Sequence, residues 1–548
     1  MQNARQDTLR EGYWVFPRVW TVQADRNGAA AVEILRELLR DSQTELTESR
    51  DAVLWLETDE TLAGEEARFA VTADGVRITY GAAAGARNAV LTLYNSLEKT
   101  DGSYTLPCSE AVDYPDSRFR GMLMDMARRY IEPEEVRANL RQMALAKMNR
   151  VIFHLMDSHH YALHSEAFPA LNHGKFPQYS MRQMRELVEY AAFWGIEVIP
   201  SLDLPAHAAH LLRSLPELAC QVEDAAFQES HWAVCIGSER TYEVAETLYR
   251  EVFTVFDSSL LMLCGDELEF TDLGLWPNWE HCTRCRALAQ REGLTLRREL
   301  FTYFVRRIHA IASRMGKRLI VSNDNLDIEH LQPGEVPQDL LIFWWAVPRR
   351  YPETYTLEKF LQQGFEVINC SYEDCYIDLY MTQERLADWS PLTRPACPPE
   401  YAAQVAGGCL CAWEGQEHFL WTVPSGILMM GDKLWNGAPA VYDRNYAVWL
   451  TRRLLGADTP AGLDVFTPLG GCLLPLDGDR MADAARKGFP ERVPVSVLPE
   501  LERTLEALHR LAEASPVQAP LCEVYALCLR WMRAQLMQRQ TLPGEDGQ

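Results

Sequence analysis

Eight short apolar runs recur between residues 121 and 411, and they constrain the fold more than any other feature of the chain. They are Gly121-Met122-Leu123-Met124, Val151-Ile152-Phe153, Ile196-Glu197-Val198-Ile199-Pro200, Leu261-Met262-Leu263-Cys264, Arg318-Leu319-Ile320-Val321, Leu340-Leu341-Ile342-Phe343, Phe365-Glu366-Val367-Ile368 and Gly408-Cys409-Leu410-Cys411. Short apolar runs with little alternation read as strands buried on both faces, the pattern of a parallel sheet covered by helices. Amphipathic helices separate them. Pro133 opens one whose apolar positions Val136, Leu140 and Met143 share a face. Ser180 and Gln183 form a capping box before Met184, Leu187, Val188 and Ala191, and Gly195 ends that helix. Strand and helix alternating eight times predict an α/β fold, a (β/α)8 TIM barrel. The alternative, a doubly wound open sheet, is weakened because no glycine-rich phosphate loop follows any of these strands.

The flanks differ from this pattern. Residues 1–112 read as a small α/β domain. Ala52–Leu56 is strand-like, Arg68–Val71 and Val76–Thr79 form a hairpin across Ala73-Asp74-Gly75, and Ala89–Leu97 is helical. The barrel is expected over residues 113–455. From 456 to 548 glycine and proline mark a linker, then the stripes Leu501, Leu505, Leu508, Leu511 and Leu521, Val524, Cys528, Trp531, Met532 predict packing helices.

A net charge of −24 disfavours nucleic acid and anionic membrane as partners, since both need a basic face. The first seven residues lack the apolar core of a signal peptide, and no run of eighteen apolar residues is present, so a cytoplasmic chain without a membrane span is expected. The fourteen cysteines read as reduced, mostly buried small hydrophobes. One close pair has metal-like spacing, Cys282 and Cys285 after His281, but it supplies two ligands where a structural zinc site needs four, so no metal is expected.

In a parallel barrel, chemistry collects at the C-terminal ends of the strands. Arg120 and Asp125 bracket the first strand, and the second ends His154-Leu155-Met156-Asp157. Asp203 and His207 follow the third, Asp266-Glu267 the fourth, Asn323-Asp324 the fifth and Trp344-Trp345 the sixth. Tyr372 and Tyr376 follow the seventh, and Trp413-Glu414 the eighth. Two adjacent acids can divide labour, one as proton donor and one ionised. Alone, Asp266 reads equally well as a cap and Glu267 as a solvated acid. Carboxylates joined by aromatic faces and an arginine suit a sugar ring, whose C–H patches stack on indole and whose hydroxyls need polar partners.

The order of motifs resembles glycoside hydrolase family 20, the β-N-acetylhexosaminidases. Arg120-Gly121-Met122-Leu123-Met124-Asp125-Met126-Ala127-Arg128 is similar to the family pattern Arg-Gly-x-x-x-Asp-x-x-Arg. His154–Asp157, Ile199–His207 and Gly265-Asp266-Glu267 follow in the family's order. The layout near Cys282 and Cys285 looks closer to the intracellular hexosaminidase D branch. Departures are Met156 and Ser158 in the second motif, Ser201 where Glu is frequent, Asn323 where Trp is usual, and Glu414 directly after Trp413.

The resemblance implies an exo-acting enzyme that removes terminal N-acetylglucosamine or N-acetylgalactosamine from a carbohydrate with retention, the substrate's own acetamido group serving as nucleophile. It makes Glu267 the proton donor and Asp266 the group that orients the acetamido N–H. Tyr376 donates to the acetamido oxygen, Trp344 and Trp413 wall the pocket, and Arg120 binds ring hydroxyls. Asp203 with His207 tunes Glu267, while Asp157 and Glu414 complete the substrate contacts. No metal or organic cofactor is needed. Two competing readings are a catalytically lapsed sugar-binding barrel and another retaining glycosidase in which Glu267 works with a distant carboxylate nucleophile.

Overall fold

The computed structural model describes residues 6–541 except 41, 43, 101–102, 175, 223–230, 270–274, 296–297, 330–334, 350, 353, 378–382, 414–422, 438–439, 457–458, 461, 467–493 and 515–518. The first sheet contains β1 (Gln6–Val15), β2 (Val19–Ala24), β3 (Glu45–Glu48), β4 (Leu54–Thr58), β5 (Ala67–Thr72), β6 (Gly75–Tyr80), β7 (Glu98–Thr100) and β8 (Ser103–Asp113). Its order is β1-β8-β5-β6-β4-β2-β3, with β7 paired to β8. The Asp-Gly hairpin is present, with Thr72 opposite Gly75. Helices α1 (Arg26–Leu38) and α2 (Ala83–Ser96) bury apolar residues in the same core.

The eight apolar runs form β9 (Phe119–Asp125), β10 (Arg150–Met156), β11 (Glu197–Leu202), β12 (Leu260–Cys264), β13 (Arg318–Ser322), β14 (Leu341–Trp344), β15 (Glu366–Asn369) and β16 (Val405–Ala412). All eight are parallel, and β16 pairs with β9 to close the barrel, Cys409 lying opposite Gly121. Every residue of β9 and β16 is buried, as the unalternating runs predict. This is the expected (β/α)8 barrel rather than an open sheet.

The small domain docks on the barrel through buried charge. Glu65 pairs with Arg120 at 2.6 Å, and Asp113 pairs with Lys147 at 2.9 Å. Asp113 also accepts from the Trp435 indole at 2.6 Å, on the helix Val423–Asn436, and from the Thr92 hydroxyl at 2.6 Å. The C-terminal region contains helices Leu498–Ala514 and Ala519–Thr541, the first burying the predicted residues Leu501, Leu508 and Leu511. Among the described residues, no helix is long and apolar enough to cross a membrane.

Candidate active site

The chain leaves β12 through an unusual backbone. Cys264, Gly265 and Glu267 have φ of +59°, +75° and +46°. Left-handed conformations cost a non-glycine residue about 1–2 kcal/mol each, so this turn is held by its surroundings. At Gly265 a Cβ would also stand 3.1 Å from the Phe301 ring. The bend matters because successive residues of a straight strand point to opposite faces.

Glu267 is fastened from two sides. Its backbone N–H donates to Asp324 Oδ2 at 2.7 Å, and its carbonyl accepts from the Trp232 indole at 3.1 Å. Its carboxylate faces His207, with Oε2 at 3.4 Å from Nε2. The other imidazole nitrogen lies 3.4 Å from Asp157 Oδ2, so the chain of groups runs Asp157–His207–Glu267. The carboxylate that completes this chain is therefore Asp157, not Asp203. Asp203 accepts the Gly265 N–H at 3.2 Å and steadies the bend. The Trp232 ring packs 4.4 Å from His207, centroid to centroid.

Charge is unevenly shared in this pocket. Burial raises the Asp157 carboxyl, but Arg128 and His207 outweigh it and hold it well below 3.8. Burial lowers His207, yet Asp157 and Asp203 outweigh it and raise it well above 6.5. Burial and the neighbouring Asp266 push Asp203 up, and the same two causes push Asp324 up. Asp266 Oδ1 is a buried acceptor with no hydrogen-bond partner among the described residues.

The aromatic wall is made by Trp345, Tyr376 and Trp413. Trp345 stacks on Tyr376 at 6.1 Å, and Tyr376 lies 6.2 Å from Trp413. Trp344, expected in this wall, points elsewhere: its indole donates to the Tyr355 carbonyl, whereas that of Trp345 donates to Asp324 Oδ1 at 3.2 Å. Alternation along β14 separates the two rings. Asn323 explains one departure from the family pattern, because its amide accepts the backbone N–H groups of Trp345 and Ala346 and fixes the Trp345 turn.

Arg120 does not reach this mouth. It precedes Gly121 at the start of β9, fully buried between Glu65 and the carbonyls of Lys147 and Ser117. Parallel strands run from base to mouth, so the start of β9 is the base. The arginine at the mouth is Arg128, paired with Asp125 at 2.9 Å and Asp157 at 2.8 Å, with its guanidinium 5.4 Å from the Trp413 ring. Glu414 lies outside the described residues. Two groupings of potential metal ligands occur here, His154/Asp157/Asp203 and Asp203/His207/Asp266. In the first the place of a cation is taken by Arg128, 2.8 Å from Asp157.

Comparison with known proteins agrees with this architecture. Residues 118–411 match the catalytic domain of glycosyl hydrolase family 20. A β-hexosaminidase of Akkermansia muciniphila is 27% identical over 377 residues, covering 64% of this chain and 73% of that one. A β-hexosaminidase of Vibrio furnissii is 25% identical over 407 residues, covering 68% and 63%. The structure of an exo-β-N-acetylglucosaminidase of Vibrio harveyi in complex with N-acetylglucosamine superposes with a TM-score of 0.70 at 20% identity, covering 82% of this chain and 75% of that chain. With more than half of its length matched by the catalytic domain, this chain belongs to glycosyl hydrolase family 20 and is a glycoside hydrolase.

Proposed function

We propose that the chain is an exo-acting β-N-acetylhexosaminidase using substrate-assisted retention. The observation that carries this reading is the unpartnered, buried Asp266 Oδ1, one residue before the acid held against His207. A buried acceptor without a partner is costly, and a substrate acetamido N–H supplies the missing donor. The relatives named above, and the bound sugar in the Vibrio harveyi structure, support the same substrate class.

In the first step Glu267 gives its proton to the glycosidic oxygen while the acetamido carbonyl oxygen attacks the anomeric carbon. The bond to the leaving group breaks and a cyclic oxazolinium forms. Asp266 holds the acetamido N–H and offsets the positive charge that develops there. His207, held between Asp157 and Glu267, faces the Glu267 carboxylate that remains once its proton has gone. Glu267 then takes a proton from the water that opens the ring, restoring the acid. Trp345, Tyr376 and Trp413 enclose the acetamido side, and hydroxyl recognition falls to Arg128 instead of Arg120.

The alternative retaining mechanism needs a second free carboxylate as nucleophile. Among the described residues, the other mouth acids are engaged: Asp157 by Arg128 and His154, Asp203 by the Gly265 N–H, Asp324 by the Glu267 N–H and Trp345. A lapsed site is disfavoured by the intact Asp157–His207–Glu267 chain beside Asp266. The test is hydrolysis of a chromogenic N-acetyl-β-glucosaminide beside the matching β-glucoside. Cleavage of the first with the second inert is expected; comparable rates on both would overturn substrate assistance.

A further inference from the structure

Four cysteines from distant parts of the chain converge beside the catalytic loops. The sulfur atoms of Cys220, Cys235, Cys282 and Cys285 all lie within 4.8 Å of one another. Cys235 Sγ is 3.6 Å from that of Cys282 and 3.7 Å from that of Cys285. These separations are far too long for a disulfide, whose S–S bond is about 2.05 Å. They match the edge of a tetrahedron of sulfurs, about 3.8 Å, set by zinc–sulfur bonds of about 2.3 Å. We propose that Cys220, Cys235, Cys282 and Cys285 bind one structural zinc ion as four thiolates.

The surroundings are built for such a site. Cys282 caps the helix Thr283–Glu292, so Cys282 and Cys285 sit at its N-terminus, where the helix field favours thiolate. Val222, two residues after Cys220, forms an isolated β-bridge with Cys282. At Gly237 a Cβ would meet the Arg284 carbonyl at 2.5 Å and the Cys285 nitrogen at 2.7 Å, so the two segments touch backbone to backbone. Zinc binding displaces the thiol protons to solvent and involves no redox change.

The position has a consequence for the reaction. Cys220 and Cys235 belong to the segment after β11, which carries His207 and Trp232. Cys282 and Cys285 belong to the segment after β12, which carries Asp266 and Glu267. Near the acid these segments meet through Asp203 on the Gly265 N–H, His207 against Glu267 and the Trp232 indole on the Glu267 carbonyl. Zinc ties the far ends of the same two segments together and acts as a positioning element, touching neither substrate nor the reacting atoms.

The experiment is metal analysis of the full chain purified without a histidine tag, beside Cys282→Ser/Cys285→Ser. About one zinc per wild-type chain, falling below about a tenth in the double variant, is expected from a four-thiolate site. Cobalt-grown wild-type protein should show the visible absorption of tetrahedral cobalt thiolate. Turnover of the variant should fall, by up to about 10²-fold for an ångström-scale shift of Glu267. The wild-type measurements stand if the variant does not fold. A metal-free wild type with four titratable thiols, disulfides among these cysteines, iron in place of zinc, or zinc retained in the double variant would each overturn the proposal. Metal content is read independently of turnover, so an inactive wild type holding one zinc would refute the catalytic reading alone.

Discussion

The carboxylate of Asp324 accepts the backbone N–H of Glu267, linking the ends of β12 and β13 over 2.7 Å. The same side chain accepts the Trp345 indole, so one group positions both the acid and a wall of the sugar pocket. Asp324→Ala leaves two buried donors unpaired, at about 1–3 kcal/mol each. We expect a lower unfolding midpoint and a fall in kcat larger than the change in KM. An unchanged kcat would show that the turn at Glu267 holds without this bond.

Glu267→Gln removes the proton donor and keeps the shape. Turnover of substrates with poor leaving groups should drop at least ~100-fold, the usual scale of general acid catalysis. Aryl glycosides with activated leaving groups need less protonation and should lose less. Equal losses on both would assign Glu267 a structural part only.

Asp266→Asn replaces an acceptor of the acetamido N–H with a group that cannot offset positive charge. A loss of about 10²–10³ in kcat is expected, the size found when one transition-state contact is removed. A thiazoline mimic of the cyclic intermediate should inhibit the unaltered enzyme competitively and bind tighter than the product sugar. Weaker binding than product would argue against that intermediate.

Arg120 and Arg128 should separate cleanly under mutation. Arg120→Leu breaks a buried ion pair with Glu65 and should cost about 3–5 kcal/mol of stability, with KM of the folded fraction unchanged. Arg128→Leu should raise KM or lower kcat, since Arg128 stands at the mouth over Trp413. The reverse pattern, read from denaturation and steady-state kinetics together, would return hydroxyl recognition to Arg120.

The acid–base pair at the mouth sets a pH signature. Since the folded-state value of His207 is raised above 6.5, its ionic contribution is complete below 6.5 and is lost as pH rises through the raised value. Asp157 behaves oppositely: its contribution is complete above 3.8 and is lost as pH falls through the lowered value. His207→Asn should therefore be most destabilised relative to wild type below 6.5 and progressively less so as pH rises above it. Denaturant midpoints across that range test this, and a deficit that grows with pH would contradict the assignment.

Barrel strands were legible because burial on both faces leaves unbroken apolar runs such as Leu261–Cys264. β1 was not, since its residues alternate weakly and several, Leu9 and Tyr13 among them, are exposed. The Asp266–Glu267 pair was readable from adjacency at a strand end. The choice between Trp344 and Trp345 depended on the phase of alternation at the point where β14 stops, which spacing alone does not define. Arg120 was misplaced although the direction of a parallel strand already puts the residue before it at the base. The partnership of His207 with Asp157, like the meeting of Cys220 and Cys235 with Cys282 and Cys285, joins residues far apart in the chain and leaves no local periodicity.

The buried ion pairs under the barrel decide whether its catalytic half can live alone. Arg120 and Lys147 belong to the barrel, but their counter-charges Glu65 and Asp113 come from the small domain. A chain begun after residue 113 would keep all eight barrel strands and every mouth residue, yet strand two interior cations without anions. The penalty for an unpaired buried charge is several kcal/mol, comparable with the whole stability of a domain. The small domain is thus the barrel's missing floor, and truncation to the catalytic segment should yield insoluble or unfolded protein rather than a minimal enzyme.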